Sequence, residues 1–202
     1  MKEISIKNNL AIFITINLLL VIYYLYLKHT VGNDSSVSEW LINYSGGFTR
    51  RGLGGELAIL FSNLFDITLR KSIFLIQATI HSSYLLLIYF YFRNLKLNVL
   101  QLFAIYAPIF LLYPLAELEA LGRKEVILFL FFLTTIYFSQ KKYDSKIINS
   151  QIFFVTPIIC LLWEQIVLFF PFFCVILIIK NNLKNFKKIF RKLSVIFFPS
   201  II

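Results

Sequence analysis

Long runs of apolar residues, separated by short polar segments, dominate this chain. An α-helix rises 1.5 Å per residue, so about 20 mostly apolar residues are needed to cross roughly 30 Å of hydrocarbon. Apolar runs on this scale cover residues 10–27, 72–92 and 99–115, and a shorter run covers 124–139. We therefore predict an all-α fold in which a single integral membrane domain, residues 1–202, forms a polytopic bundle of transmembrane helices.

The end of the chain contains one more long run and one short run. Residues 151–179 are largely apolar but are interrupted by Trp163, Glu164 and Gln165. They form either one long tilted helix or two short helices that meet at Glu164. Residues 193–202 begin an apolar run that is too short to cross a bilayer. This run predicts either an interfacial tail or, as we prefer, the start of a further helix in a longer protein.

Basic residues indicate the orientation of the predicted bundle. If the chain turns back at Glu164, the segments on one side are 1–9, 93–98, 139–150 and 180–192, and they hold most of the 20 Lys and Arg. Lys and Arg accumulate in cytoplasmic loops. This predicts a cytoplasmic N-terminus. It also favours two short helices over one, because a single crossing would put the last basic segment outside.

Composition excludes an ordinary soluble domain. The chain is 59% hydrophobic and 15% charged, whereas globular domains are nearer 45–50% apolar and about 25% charged. The formal charge of +10 lies beside the apolar runs, so it predicts contact with anionic lipids and not with nucleic acid. Cys160 and Cys174 lie in apolar runs and indicate neither a disulfide nor a zinc site. No metal or cofactor is predicted.

A polar, glycine-rich loop separates the first two apolar runs. Residues 28–71 form this loop, which the predicted topology places outside the cytoplasm, and its centre, residues 43–56, has the sequence NYSGGFTRRGLGGE. A stripe of apolar residues with helical spacing begins near the end of this motif, which predicts an amphipathic interfacial helix whose stripe contacts lipid or the bundle. The stripe consists of Leu53, Leu57, Leu60, Phe61 and Leu64.

The glycines and arginines of this loop are candidates for phosphate binding. A glycine-rich loop that leads into a helix exposes backbone N–H groups at the positive end of the helix dipole. Gly46 and Gly47 would supply this backbone, and Arg50 and Arg51 would add two charged forks that suit a phosphate or pyrophosphate. Alternatively, the glycines make a tight turn and the arginines contact lipid headgroups.

A second charged motif lies at the start of the fourth apolar run. Arg123 and Lys124 are further candidates for phosphate binding, and Glu125 follows them directly. Ionised acids near the bilayer are costly and usually face a cavity or a basic partner. Glu125 is therefore a candidate catalytic residue, or else part of a structural salt-bridge cluster. Glu164 is a second catalytic candidate, since it lies among apolar residues and needs a partner or water.

Three polar residues of the second apolar run have helical spacing. Gln77, His81 and Tyr84 recur at i, i+4 and i+7, so they are predicted to face the interior of the bundle. Hydrogen-bonded packing is the expected role, and proton relay by His81 is the alternative.

The two charged motifs resemble a pattern found in uncharacterised bacterial polytopic membrane proteins. The resemblance is carried by residues 43–56 and by Gly122–Glu125, which reads GRKE. The layout of the chain is more loosely similar to the C-type glycosyltransferase superfamily and to O-antigen polymerases. This resemblance implies a multi-pass protein of the bacterial inner (plasma) membrane.

The similarity to glycosyltransferases also implies roles for residues of the first loop. Members of that superfamily carry an acidic residue in the first extracytoplasmic loop, which would be Asp34 or Glu39 here. Arg50 and Arg51 would hold the lipid phosphate. The implied partner is a polyprenyl-phosphate-linked saccharide in the lipid bilayer.

Three functions are compatible with these features. The first is a glycosyltransferase or polysaccharide polymerase that uses a polyprenyl-phosphate-linked sugar at the extracytoplasmic face, with a carboxylate as general base and arginines that stabilise the departing phosphate. The second is a transporter or flippase in which Glu164 and residues 117–125 line a pathway. The third is a non-catalytic membrane assembly subunit.

Overall fold

The regular elements of the structure are helices. The computed structural model describes residues 2–31, 35–49, 51–93, 95, 97–141 and 145–181. Two 3₁₀ turns, Leu118–Ala120 and Glu164–Phe169, accompany the α-helices. The α-helices are α1 (Lys2–Val31), α2 (Ser35–Trp40), α3 (Leu53–Phe65), α4 (Leu69–Phe92), α5 (Val99–Tyr106), α6 (Tyr113–Ala116), α7 (Glu125–Gln140), α8 (Ser145–Leu162) and α9 (Phe170–Asn181). The predicted all-α class is confirmed for this part of the chain.

Some predictions concern residues outside the described part. Asp34 and Arg50, both candidate site residues, lie outside the described residues, and so does the apolar run 193–202.

Among the residues that the structure describes, two helices are long and apolar enough to cross a membrane. They are Asn8–Val31, within α1, and Leu69–Phe92, which is α4. They contain the predicted apolar runs 10–27 and 72–92. The helices α3, α7 and most of α8 are apolar but shorter.

Helices α1 and α4 pack against each other in opposite directions. The ring of Tyr26, near the end of α1, lies 6.2 Å from that of Phe74, near the start of α4. Farther along, Val21 and Leu25 belong to the same buried cluster as Leu85. The end of α1 and the start of α4 therefore lie at one end of the bundle. We call this the loop end, since residues 32–68 connect the two helices there.

Residues 99–115 do not form one helix, so that prediction is wrong. Helix α5 ends at Tyr106, and Ala107 has an extended backbone with φ −66° and ψ 143°. The cause is Pro108, because the ring of a proline disfavours helical geometry in the residue before it. A short helix, α6, then begins at Tyr113 with Pro114 in its first turn, where a missing N–H costs little.

Residues 151–179 form two helices, which is one of the two predicted alternatives. Helix α8 ends at Leu162, and Trp163 is extended, with φ −157° and ψ 106°. Helix α9 then runs back beside α7. The evidence is a hydrogen bond of 3.0 Å that Lys180, at the end of α9, donates to the backbone oxygen of Ser139, at the end of α7. The rings of Phe131 in α7 and Phe173 in α9 lie 5.3 Å apart in a buried cluster.

Helix α3 buries its small residues and exposes its apolar stripe. Gly54, Gly55 and Ala58 are buried, and the backbone oxygen of Ala58 accepts a hydrogen bond of 2.7 Å from Ser72 of α4. A Cβ atom on Gly55 would overlap the carbonyl group of Ile42, so only glycine allows this close approach. The stripe does not pack into the bundle, because four of its five residues are exposed, namely Leu57, Leu60, Phe61 and Leu64.

Candidate functional site

The turn before α7, which contains Gly122, is bonded to several helices at the loop end. Gly122 adopts a positive φ of 86° in this turn, and a Cβ atom there would lie 2.9 Å from Nε2 of Gln77. Its carbonyl oxygen accepts hydrogen bonds from Trp40 Nε1 at 2.7 Å and from Gln77 Nε2 at 2.8 Å. The oxygen of Leu121 accepts a third from Lys28 Nζ at 2.8 Å. Side chains from α1, α2 and α4 thus fix this turn.

Lys124 is enclosed by the protein. The whole residue is inaccessible to solvent, and its Nζ donates a hydrogen bond of 3.1 Å to the backbone oxygen of Arg51. The ammonium also lies 5.6 Å from the centre of the Trp40 ring. A Cβ atom on Gly54 would come within 3.2 Å of Nζ, so the glycine makes room for the lysine. The ammonium thus binds protein atoms and stabilises the packing of α3 against the turn.

Arg51 and Glu164 form an ion pair. Nη2 of Arg51 lies 2.8 Å from Oε1 of Glu164, and the two side chains are 35% and 40% exposed. The guanidinium also lies 4.3 Å from the centre of the Trp163 ring. The prediction that Glu164 needs a partner is confirmed. The pair joins the first loop to the turn between α8 and α9, and at this exposure it contributes about 0–1 kcal/mol.

Gly46 and Gly47 make an exposed turn, which is the alternative that the sequence left open. The N–H of Gly47 donates to the oxygen of Tyr44 at 3.0 Å, and a Cβ atom on either glycine would meet nothing within 4 Å. In the first turn of α3, the N–H of Gly55 donates to the oxygen of Ile42. Phosphate binding by Gly46 and Gly47 stays a prediction.

The loop and the second motif bring two carboxylates near each other. Glu39 is half-buried, and its pKa is raised, first by burial and second by the charge of Glu125. The positive charges of Lys124, Arg51 and Arg123 act in the opposite direction. The structure therefore gathers five of the predicted site residues into one electrostatic cluster.

The raised pKa of Glu39 predicts a pH effect on stability. An acid whose pKa is raised by folding binds more protons in the folded state, so stability falls as pH rises through the folded pKa. Glutamine does not titrate, so replacing Glu39 with Gln should remove this fall in stability. Melting temperature measured against pH in detergent tests this, with exposed Glu117→Gln as the control. Parallel curves for the wild type and Glu39→Gln would contradict it.

A cavity of about 350 Å³ lies beside the second motif. Arg123 and Glu125 line it at the loop end, and Asn17 and His81 line it between α1 and α4. Asn17 and His81 are only 1% and 3% exposed. Within the described residues, Asn17 Oδ1, His81 Nε2 and Glu125 Oε2 are buried without a hydrogen-bond partner. Buried polar atoms normally have partners, and these three atoms, which lack one, all belong to residues that line this cavity.

The sequence pattern found part of this cavity. The prediction that Gln77 and His81 face the interior is confirmed, since both are buried. Gln77 bonds to Gly122 and, through Oε1, lies 2.8 Å from Nε2 of His29. Asn17 was not predicted as a site residue. Its amide side chain within the apolar run 10–27 was the signal in the sequence that could have indicated it.

Neither a metal-ligand cluster among the described residues nor a matched protein adds to what the geometry of the site indicates. In the part of the chain that the structure describes, no group of three or more His, Cys, Asp or Glu side chains could hold a metal ion. Comparison of the chain with models of protein families, with curated proteins and with solved structures finds no match. The suggested likeness to glycosyltransferases and polymerases stays a prediction.

Proposed function

We propose that this chain is a multi-pass membrane enzyme that transfers or polymerises sugars from a polyprenyl-phosphate-linked donor at the loop end of the bundle. The observation that carries the proposal is the cavity in which a basic residue, Arg123, and a carboxylate, Glu125, occur together with buried polar atoms that lack partners. Such a combination suits a ligand that carries both a phosphate and hydroxyl groups.

The direction of the helices supports this placement. Helices α4 and α7 end on the same side, because Nε2 of Gln140 donates to the hydroxyl of Tyr91 at 3.0 Å. Basic residues Arg93, Lys141 and Lys180 lie at this end, which we assign to the cytoplasm by the positive-inside rule. The loop end is then extracytoplasmic, and the exposed stripe of α3 lies in the lipid interface.

Glu125 would act as the general base. It takes the proton from the acceptor hydroxyl, whose oxygen then forms a bond to the anomeric carbon of the sugar. The bond from that carbon to the phosphate oxygen breaks, and the electron pair leaves with the lipid phosphate. Arg123 stabilises the charge that develops on this phosphate.

The transporter hypothesis receives less support from the geometry. It requires Glu164 to line a pathway at the break between α8 and α9. Glu164 is instead paired with Arg51, and Trp163 stacks on the same guanidinium. Glu164 therefore already has a charged partner at this break.

Binding of a lipid phosphate tests the proposal directly. We expect polyprenyl phosphate to raise the melting temperature of the full chain in nanodiscs, because a ligand that binds only the folded state stabilises it by about 2.7 kcal/mol at 100 times its Kd. Arg123→Gln should remove most of this protection. Arg93→Gln, an exposed arginine at the opposite end, is the matched control. Absence of protection in the wild type, or equal protection in both variants, would contradict the proposal.

A further inference from the structure

A second cavity adjoins the first. It has a volume of about 390 Å³, and Tyr84, Phe110 and Phe129 line both cavities. Apart from Tyr84, the side chains that line the second cavity are all Phe, Ile or Leu. The two cavities therefore share a wall, and the first has charged and amide side chains in a largely apolar lining, whereas the second has none.

The second cavity is a groove that leads away from the loop end. Tyr84, Ile88 and Phe92 line it at successive turns of α4, so it extends about 12 Å along that helix. On α7, Leu133 and Ile136 line the groove farther from the loop end than Phe129 does. The groove therefore runs along α4 and α7 from the polar cavity toward the opposite end of the bundle.

The groove is open to the outside of the bundle. Phe110, Phe129 and Phe172 belong to its lining, and they are 41%, 45% and 56% exposed. On a membrane protein, this outer surface faces hydrocarbon. A lipid chain could enter the groove sideways from the bilayer without passing through water.

We propose that the two cavities hold one amphiphile, with its phosphate and its hydroxyl-bearing sugar in the first cavity, among Arg123, Glu125, Asn17 and His81, and the first part of its isoprenoid chain in the groove between α4 and α7. This inference rests on the proposed function and specifies how its donor binds. A sugar hydroxyl donates, so it can bind the amide oxygen of Asn17 and Nε2 of His81, which accepts because Nδ1 donates to the backbone oxygen of Gln77 at 2.9 Å. A free sugar would leave the groove empty, and a plain hydrocarbon would leave the polar atoms unsatisfied.

Blocking the groove tests the position of the lipid chain. Leu133→Trp should fill the groove and lower the affinity for undecaprenyl phosphate at least tenfold, which corresponds to about 1.4 kcal/mol. Affinity for dimethylallyl phosphate, whose chain is a single isoprene unit and ends before Leu133, should change less than about twofold, since such a change is well below 1 kcal/mol. Leu86→Trp, on α4 and 48% exposed, is the matched control and should change neither affinity. Native mass spectrometry of the full chain measures both probes.

The outcomes separate this inference from the proposed function. If the wild type binds neither probe, the proposed function fails. If it binds both and Leu133→Trp leaves the long-chain affinity unchanged, the groove is not the chain site, although the proposed function stands. Should Leu133→Trp fail to fold, Ile136→Trp replaces it at the next turn of the same wall.

The sugar head is tested with a second pair of ligands. Undecaprenyl phosphate that carries one sugar should bind the wild type more tightly than the bare phosphate. His81→Phe should remove at least tenfold of this preference and leave the affinity for the bare lipid phosphate within about twofold, a change well under 1 kcal/mol. Exposed Asn63→Leu, at the loop end, is the control for a lost polar side chain. An unchanged preference in His81→Phe would overturn the assignment of the head to this cavity.

Discussion

We expect Glu125→Gln to lower the kcat for sugar transfer by about 10²- to 10⁴-fold, the usual contribution of a positioned general base. Glutamine keeps the shape and the hydrogen-bonding reach of the side chain, but its amide cannot take a proton from the acceptor hydroxyl. The unpartnered, buried Oε2 of Glu125 beside the cavity is the atom that the substitution disables. Release of labelled lipid phosphate from a sugar-bearing donor measures the rate.

The control for this experiment is a carboxylate of the same segment. Glu119→Gln changes an exposed residue of the 3₁₀ turn before the buried turn and should leave the rate within about twofold, since surface changes cost little. KM for the lipid donor should change little in Glu125→Gln, because the loss falls on the transition state. If Glu125→Gln keeps activity comparable to that of Glu119→Gln, another group is the base or the protein does not catalyse the transfer.

The long helices were predictable because their pattern is local. Helices α1 and α4 each contain an apolar run that spans about 20 residues, and nothing in those runs breaks the helix. The run 99–115 has similar hydropathy, but Pro108 lies inside it and imposes an extended residue before it. Proline was visible in the sequence, and its effect on the backbone outweighs the apolar composition.

The roles of the charged residues depended on contacts between distant segments. Arg51 and Glu164 are far apart in the chain, and the sequence indicated that Glu164 needs a partner without naming it. Lys124 is in a motif that suggests an anion site, yet Gly54 and Trp40 enclose its ammonium. Local patterns identify charged residues, but only the tertiary arrangement decides whether their charges are exposed to a ligand.

The cavity beside the second motif also combines a feature that the sequence predicts with one that it does not predict. Helical spacing placed His81 inside the bundle, because i, i+4 and i+7 positions share one helix face. Asn17 joins it from α1, and its Nδ2 donates to the backbone oxygen of Leu111 at 3.0 Å. That acceptor lies in the segment where the predicted helix 99–115 is broken. The cavity therefore depends on an irregular backbone that hydrophobic periodicity could not predict.

The largest expected loss of stability follows from Trp40→Ala. Trp40 is only 2% exposed, packs with Val37, Ala58 and Ile73, and donates to the oxygen of Gly122 at 2.7 Å. Truncating a buried aromatic side chain of this size costs about 3–5 kcal/mol. The cost includes the cavity that remains beside the buried ammonium of Lys124. Urea denaturation of the full chain in mild detergent measures the free energy of unfolding.

Trp40→Phe separates the hydrogen bond from the packing. It keeps most of the ring and removes the indole donor, so the oxygen of Gly122 retains only Gln77 as a partner and stability should fall by about 0.5–1.5 kcal/mol. The matched control is Trp163→Phe. The indole of Trp163 donates to the exposed side chain of Gln165 at 3.2 Å, so its loss should lower stability less. Because the Gly122 carbonyl fixes the turn that carries Arg123 and Glu125, Trp40→Phe should also weaken protection by polyprenyl phosphate, whereas Trp163→Phe should not. Equal losses of stability and of lipid protection in the two variants would show that the indole of Trp40 does not position this turn.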